Sequence, residues 1–258
     1  MSKTAVVFSC AHADPSVSNE RFDWIGKFIY DINPNYVIDL GDGADMRSLN
    51  TFDTRKPQAI VSQSYERDID TYNDSMERLR RATNSRTYKK PYWIGFEGNH
   101  ENRIKKALAT DPRLEGHKYG VSFGHLQTDH WFNEYHEYHN SAPAITDYDG
   151  VSYAHYFSSG NFGSATSGIH HAYALLQNRS SSSTCGHSHK RSVYFKDGAH
   201  PNAIIGMVVG CTKGSEEEWA GQANNDWWKG VVVKREISNG VYEPEFVSLK
   251  RLKKEYGA

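Results

Sequence analysis

The chain begins as a series of apolar strands, polar turns and amphipathic stretches. Patterns typical of buried strands occupy residues 5–10, 36–42 and 91–100. Helical periodicity follows the first and the third of these strands, at residues 19–32 and 101–109. This alternation predicts an α/β fold in which helices connect consecutive strands.

The later part of the chain is dominated by strand patterns. They occupy residues 151–157 and 181–185 and the runs VYF, AIIGMVVG and GVVVKREI, while residues 163–179 have the pattern of a single helix. An alternating first part followed by a strand-rich second part predicts a layered α/β sandwich rather than a purely parallel sheet. We expect one domain over residues 1–258, with a helical insertion at about residues 46–90 whose helix covers residues 60–79.

Composition narrows the classes of function. Lys+Arg 30 against Asp+Glu 31 gives a net charge of -1, so the protein has no overall positive charge that would favour non-specific nucleic-acid binding. This net charge is still compatible with a local basic groove. No stretch approaches the ~20 apolar residues of a membrane span, which predicts a soluble protein without a membrane partner. The three cysteines are widely spaced, which argues against a disulfide framework and indicates a reducing, cytoplasmic location.

Side chains that bind metals follow the predicted strands. They lie in the turns CAH (10–12), GDGAD (41–45), GNHE (98–101) and GHSH (186–189), and at His155. If these strand ends meet at one rim, imidazole, carboxylate and amide groups converge there, a set suited to Mn²⁺, Fe, Ni²⁺ or Zn²⁺. A glycine precedes Asp42, Asn99 and His187, which allows the tight turns that direct each ligand inward.

In this order the turns resemble the motif series of the calcineurin-like metallophosphoesterases, D-x-H, G-D-x-x-D, G-N-H-[DE], a lone H and G-H-x-H. The match extends over residues 10–189. The segments SLNTF (48–52), GNHENR (98–103) and VVGCTKG (208–214) also resemble a subgroup that bacteriophages often encode. The resemblance implies an α-β-β-α sandwich of two mixed β-sheets flanked by helices, and a hydrolase that acts on phosphate esters.

The resemblance further implies two divalent ions, Mn, Zn, Fe or Ni, bridged by Asp42. The other ligands of the first ion would be Cys10, His12 and His189, and those of the second would be Asn99, His155 and His187. The ions would share a hydroxide that attacks the phosphoryl group. His100 matches the histidine that donates a proton to the leaving oxygen, and Asp45 would hold its other ring nitrogen.

Other polar residues near these motifs have less specific interpretations. Asn99 and Arg103 are candidate substrate contacts, although a solvated surface arginine would fit Arg103 as well. Glu101 is expected to favour the N-terminus of the following helix. His170 and His171 are expected on a packed helix face, and Trp227 and Trp228 either stack on bases or pack in the core.

Two positions depart from the family pattern. Cys10 stands where the family usually has Asp; as a thiolate it would favour Zn²⁺ or Fe. Alternatively, Cys10 is a small buried strand residue, and the first ion binds weakly or not at all. Met46 follows Asp45 where the Ser/Thr protein phosphatases of the family have a phosphate-binding arginine, which argues against a phosphoprotein phosphatase.

We therefore expect hydrolysis of a phosphodiester or phosphomonoester in a nucleotide or nucleic acid, in the host cytoplasm if the protein is viral. The alternatives are a metal-binding regulatory module of the same fold with weakened catalysis and a phosphoprotein phosphatase. The sequence gives no indication of the oligomeric state.

Overall fold

The computed structural model describes residues 2–51, 63–84, 89–116, 118–160, 163–197, 203–215 and 218–257. In chain order the strands are β1 (Lys3–Phe8), β2 (Tyr36–Asp39), β3 (Tyr92–Phe96), β4 (Glu134–His136), β5 (Thr146–Tyr148), β6 (Val151–Tyr153), β7 (Ser158–Ser159), β8 (Ser164–Ala165), β9 (Ser182–Cys185), β10 (Arg191–Lys196), β11 (Ile204–Val209), β12 (Gly230–Ser238) and β13 (Val241–Ser248).

The α-helices are α1 (Glu20–Ile32), α2 (Tyr65–Arg81), α3 (Asn102–Thr110), α4 (Thr128–Trp131), α5 (His171–Asn178) and α6 (Leu249–Tyr256). Short 3₁₀ segments occupy Arg47–Leu49, Ala82–Asn84, Pro112–Leu114, Phe123–Leu126 and Glu218–Asp226. None of the described helices is long and apolar enough to cross a bilayer.

Two mixed sheets form the centre of the molecule. The first has the order β13-β12-β1-β2-β3-β4, in which β1 to β4 run parallel and β12 and β13 are antiparallel neighbours. The second has the order β10-β11-β9-β6-β5, with three parallel strands between two antiparallel edge strands. Because β1 to β4 are parallel, their C-terminal turns all open at the same edge.

Successive side chains of a strand point to opposite faces of the sheet and therefore pack into different cores. On β1, Val6 and Phe8 belong to the core shared with Ile25 of α1, whereas Ala5 and Val7 belong to the core between the sheets. A third, smaller core on the outer face of the second sheet contains Leu175 of α5 together with other buried residues. The predicted α-β-β-α sandwich of two mixed sheets flanked by helices is therefore confirmed.

Two predicted helices begin later than expected. Helix α5 starts at His171 rather than near residue 163, because Gly163 and Gly168 have φ values of +66° and +108°, which a right-handed helix excludes. Residues 164–165 instead form β8. Helix α2 starts at Tyr65, where Ser64 Oγ accepts a hydrogen bond from Arg67 N–H as an N-cap; residues 60–62 of the predicted helix lie outside the described residues.

Candidate metal centre

The five predicted turns meet at one edge of the sandwich. The turns after β1 and β2 are joined by backbone hydrogen bonds from Cys10 N–H to Gly41 O and from His12 N–H to Asp42 O, both 2.9 Å. The second sheet joins the first where His187 N–H donates to Cys10 Sγ at 3.2 Å. The seven residues predicted as ligands are thus brought into one cluster: Cys10, His12, Asp42, Asn99, His155, His187 and His189.

Most of these residues have a backbone conformation that residues other than glycine rarely adopt. Positive φ values, between 45° and 64°, occur at Cys10, His12, Asp42, His187 and His189. Such conformations cost free energy in a non-glycine residue and concentrate at functional sites. A Cβ at Gly98 would lie 2.2 Å from Asp42 N, so glycine is required there for the Asn99 turn to approach Asp42.

One part of the cluster, which we call the His155 half, is formed by Asp42, Asn99, His155 and His187. His155 Nε2 lies 3.0 Å from Asn99 Oδ1, 3.1 Å from His187 Nδ1 and 3.2 Å from Asp42 Oδ2. His155 Nδ1 lies 2.7 Å from Leu40 O, and because a carbonyl only accepts, this nitrogen must carry a proton.

In the neutral form of His155, the tautomer fixed by Leu40 leaves Nε2 with a lone pair that points at two oxygen acceptors. Three acceptor atoms so close together repel one another unless a proton or a metal ion lies between them. Burial lowers the pKa of His155, but the Asp42 carboxylate, the Leu40 carbonyl and Glu101 together raise it by more, so that the net shift is upward. The donor set of imidazole, carboxylate and amide oxygen fits a divalent ion such as Mn²⁺, Fe²⁺ or Zn²⁺.

The other part, which we call the His12 half, is formed by Cys10, His12, His189 and the shared Asp42. His12 Nε2 lies 3.1 Å from His189 Nε2 and 3.9 Å from Asp42 Oδ2. His12 Nδ1 donates to Asp45 Oδ1 at 2.9 Å, which leaves its Nε2 free to bind a metal. The ligand atoms of Cys10, His12 and His189 all lie within 4.8 Å of one another.

Cys10 touches both halves, because its Sγ, Asp42 and His155 also form a group within 4.8 Å. Burial, together with the Asp42 carboxylate, raises the thiol pKa of Cys10 well above its usual value. Without a cation the thiol would therefore keep its proton, and ligation would have to displace it. In this position, in the turn after β1, Cys10 can either bind a metal as a thiolate or remain a buried thiol.

Asp42 reaches both halves and is held as an anion. Burial alone would raise its pKa, but the surrounding imidazoles, above all His155, lower it well below the usual range. Its Oδ1 accepts the backbone N–H of His100 at 2.9 Å, which leaves Oδ2 directed at the His12 and His155 nitrogens. This geometry fits a bridging carboxylate.

Three of the four imidazoles of the cluster have lowered pKa values, which favour the neutral form. Burial lowers the pKa of His12 to about 3, that of His187 to about 4 and that of His189 to about 2. Lys213, which is buried beside the His12 half, adds to the shift at His12 and His189. Unprotonated nitrogen is the form that binds metals.

His100 and Asp45 lie next to the cluster in the predicted pairing. His100 Nδ1 is 3.0 Å from Asp45 Oδ1 and 2.7 Å from Asp45 O, so this ring nitrogen carries a proton. Asp45 Oδ1 also accepts from His12, a sharing that the sequence did not predict. Although Asp45 is buried, the hydrogen bonds from His100 and His12 hold its pKa well below the usual range.

Arg103 is turned toward this pair rather than outward. Its Nη1 donates to Asp45 O at 2.8 Å and to Met46 O at 3.3 Å, and its Nη2 lies 3.3 Å from His100 Nε2. The side chain is half-buried. Arg103 is thus part of the site, and the interpretation as a solvated surface arginine does not fit these contacts.

Glu101 has a role that its sequence position did not reveal. Its carboxylate is buried and accepts three backbone N–H groups, from Asp42 at 3.0 Å, Ala44 at 2.8 Å and Gly98 at 2.9 Å. It therefore fixes the turns that carry Asp42 and Asn99. Burial and the nearby Asp42 raise the pKa of Glu101 to about 7.

Aromatic residues border the cluster. The Tyr156 ring lies 5.0 Å from the His187 ring, and the Trp227 ring lies 4.5 Å from that of His189. Trp228 instead packs on Phe246 between the sheets, at 5.4 Å. Of the predicted helix-face histidines, His171 is buried and lies 3.1 Å from Ser188 Oγ through Nδ1, whereas His170 is exposed.

No protein-family model matches the chain, and no curated protein matches it. Among solved structures it is similar to a conserved protein of Streptococcus pneumoniae described as a predicted phosphoesterase, with a TM-score of 0.40 and 10% identity over 97% of this chain and 91% of the other. It is also similar to a cold-active protein-tyrosine phosphatase of a Shewanella species, with a TM-score of 0.40 and 12% identity over 95% and 80%. At this similarity the argument about function rests on the site itself.

Proposed function

We propose that this protein is a metal-dependent phosphoesterase that holds two divalent ions and hydrolyses phosphodiester or phosphomonoester bonds in a nucleotide or nucleic acid. The observation that carries the proposal is the convergence of lone-pair donors on both sides of Asp42. His155 Nε2 lies 3.2 Å from Asp42 Oδ2 on one side, and His12 Nε2 lies 3.9 Å from it on the other. A single buried carboxylate between two imidazole groups is suited to bridging two ions.

Each ion would have its own ligands besides Asp42. One would be held by Asn99, His155 and His187, the other by His12 and His189, with Cys10 as a further candidate. Bound there, the ions would polarise the phosphoryl group and activate a water molecule for attack.

His100 is the candidate proton donor, with Asp45 as its partner. Asp45 holds Nδ1 of the ring and leaves Nε2 available on the other side. In the described conformation Arg103 Nη2 donates toward this Nε2, so it must release the nitrogen before His100 can give a proton to a leaving oxygen. Arg103 and Asn99 are then free to contact the phosphate.

A cavity beside the cluster supports a substrate larger than one phosphate. It has a volume of ≈ 390 Å³ and is lined by residues that include Asp14, Arg47 and Arg67. Asp14 follows His12 by two positions and Arg47 follows Asp45 by two, so the cavity adjoins the His12 half. Arg47 is paired with Asp14 at 3.1 Å, and Asp68 offsets the charge of Arg67, so the lining carries no net positive charge and the size of the cavity is what fits a nucleotide.

The test is elemental analysis of the purified protein combined with hydrolysis of bis-p-nitrophenyl phosphate after addition of Mn²⁺. We expect two ions per chain and turnover that a chelator abolishes. His100→Ala should keep both ions and lose activity, most for esters with poor leaving groups, because these depend on the proton donor. One ion or none per chain, with no turnover for several metals, would refute the proposal.

The alternatives make different predictions in the same experiment. A regulatory module with weakened catalysis would bind both ions without hydrolysing any ester, although it would have no use for the His100–Asp45 pair. A phosphoprotein phosphatase would need a cationic side chain at position 46, where Met46 is completely buried.

A further inference from the structure

Strand β4 also ends at the sheet edge where the candidate metal centre lies. This strand pairs in parallel with β3, with His136 opposite Phe96. Tyr138 lies two residues beyond the end of β4, and its backbone N–H donates to Glu97 Oε2 at 2.7 Å. Because Glu97 begins the turn that carries Asn99, Tyr138 arrives beside the His155 half.

The hydroxyl group of Tyr138 is buried, yet it has no hydrogen-bond partner among the described residues. Its ring meets that of Tyr156 edge-on at 6.4 Å, and the Tyr156 hydroxyl is close enough to contribute to a raised pKa of Tyr138. Tyr156 in turn lies against His187 and His155, at 5.0 and 5.8 Å between ring centroids.

The fold gains little from this hydroxyl, because among the described residues it makes no hydrogen bond of ordinary geometry. A buried hydroxyl without a partner destabilises the protein, and a phenylalanine would keep the same ring contacts without that cost. Burial and the charge of Asp42 raise the pKa of Tyr138, so the group remains a donor across the neutral range. A donor held in this way at a metal centre is suited to an anionic oxygen that arrives with a ligand.

We propose that Tyr138 is a substrate-binding residue whose hydroxyl donates a hydrogen bond to a non-bridging phosphate oxygen at the His155 half. This inference rests on the proposed phosphoesterase function. It adds to that function a neutral donor, supplied by the segment after β4, for the same phosphate. The site would then recognise the phosphate through its oxygens rather than through the rest of the substrate.

The variant that tests this is Tyr138→Phe, with Tyr148→Phe as its matched control. Tyr148 is a half-buried tyrosine whose hydroxyl pairs with His136 Nε2 at 2.7 Å, outside the metal centre. The measurements are the inhibition constant of inorganic phosphate against bis-p-nitrophenyl phosphate hydrolysis and the melting temperature of the metal-free protein.

The two variants should behave in opposite ways. Tyr138→Phe should weaken phosphate inhibition about 10- to 100-fold, because a hydrogen bond to a charged oxygen is lost, and it should leave the melting temperature unchanged or raised. Tyr148→Phe should lower the melting temperature and leave phosphate inhibition unchanged. The combination of weaker binding with undiminished stability is not expected of a tyrosine whose role is to support the fold.

Two outcomes would overturn the inference. One is phosphate inhibition in Tyr138→Phe equal to that of the unaltered protein; the other is a melting temperature lowered as much as in Tyr148→Phe. If the unaltered protein binds Mn²⁺ but hydrolyses nothing, the proposed function fails separately. Calorimetric binding of inorganic phosphate to the Mn²⁺-loaded protein then decides the role of Tyr138, since equal affinities in both proteins would refute it.

Discussion

The two halves of the candidate metal centre contain similar side chains but differ in how these side chains are held. In the His155 half, a backbone carbonyl fixes the imidazole of His155, and its free nitrogen lies within 3.2 Å of three other ligand atoms. In the His12 half, the shared carboxylate oxygen lies 3.9 Å from His12, and the remaining anionic ligand is a thiol that must first lose its proton. The side chains of the His155 half are thus closer to the arrangement that a bound ion requires.

The charges near each half increase this difference between the two halves. The cation of Lys213 is buried near His12 and His189 and opposes a second positive charge there. The raised pKa of His155, in contrast, shows that the His155 half attracts positive charge despite its burial. We infer that the two ions bind with unequal affinity, with the tighter ion in the His155 half and Cys10 as the group that decides the affinity of the other.

The largest effect is expected for Asp42→Asn, because it removes the one ligand common to both halves. We expect fewer than one tightly bound ion per chain and a loss of at least about 10³-fold in kcat/KM, which exceeds the loss of a single stabilising donor in many enzymes. Elemental analysis and kinetics measure both. Asp68→Asn, at another buried carboxylate, should keep both ions. An Asp42→Asn protein that retains one full equivalent would mean that one half does not depend on the bridge.

The next effect is expected for Glu101→Gln, which should weaken both halves. An amide can direct only one oxygen at the three backbone N–H groups, so the turns carrying Asp42 and Asn99 lose their support. We expect about 10- to 100-fold weaker binding of both ions and a loss of about 1–3 kcal/mol in the free energy of unfolding. Isothermal titration and urea denaturation measure these quantities.

Glu97→Gln provides the control for that prediction. Glu97 is also buried and accepts hydrogen bonds from Asn102 Nδ2, Lys105 Nζ and the Tyr138 N–H, none of which belongs to a predicted metal ligand. Its substitution should lower stability without changing the affinity for either ion. If Glu101→Gln affected only one half, the two turns would have independent supports, and the comparison would need revision.

Sequence reasoning found the ligand turns because each signal is local: a strand pattern, a glycine and a metal-binding side chain within a few positions. It missed the contacts that depend on distant residues. Glu101 binds backbone groups 57 and 59 positions away, and no periodicity marks such a pairing. Tyr138 was missed because β4 has three residues, EYH, without an apolar run that would predict a strand.

The N-terminal part of the predicted helix at residues 163–179 was wrong for a related reason. Its apolar periodicity is real from His171 onward, but two glycines upstream adopt left-handed conformations that composition alone does not reveal. In the site, the same kind of conformation at Cys10, His12 and His187 depends on tertiary contacts. The sequence could therefore predict which residues meet, but not the strain with which they are held.

A smaller effect is expected for Cys10→Ser, which tests whether the thiol completes the His12 half. In the Co²⁺-substituted protein, a thiolate ligand produces a sulfur-to-cobalt charge-transfer band in the near ultraviolet, and Cys10→Ser should abolish it. We also expect about tenfold weaker Zn²⁺ binding at one of the two sites. Cys185→Ser, at a buried cysteine outside the ligand set, should keep the band. A protein without the band before substitution would make Cys10 a packing residue.

The last difference between the halves is the pH dependence of metal affinity in Cys10→Ser. The pKa of His12 is lowered to about 3 and that of His189 to about 2, so these nitrogens hold no proton between pH 5.5 and 8 and release none when a metal binds. The pKa of His155 is raised above its ordinary value of 6.5, so below that raised pKa a metal must displace a proton from Nε2.

Affinity in the His155 half should therefore rise about tenfold per pH unit below the pKa of His155 and level off above it, whereas affinity in the His12 half of the variant should stay flat. With Cys10 present, the His12 half should also gain affinity with pH, because the raised thiol pKa makes ligation release a proton throughout this range. Competition with a chromophoric chelator from pH 5.5 to 8 measures both slopes. If metal affinity changed equally with pH in both halves of Cys10→Ser, the two halves would release the same number of protons on metal binding. The difference between the halves that we infer from His155 would then be wrong.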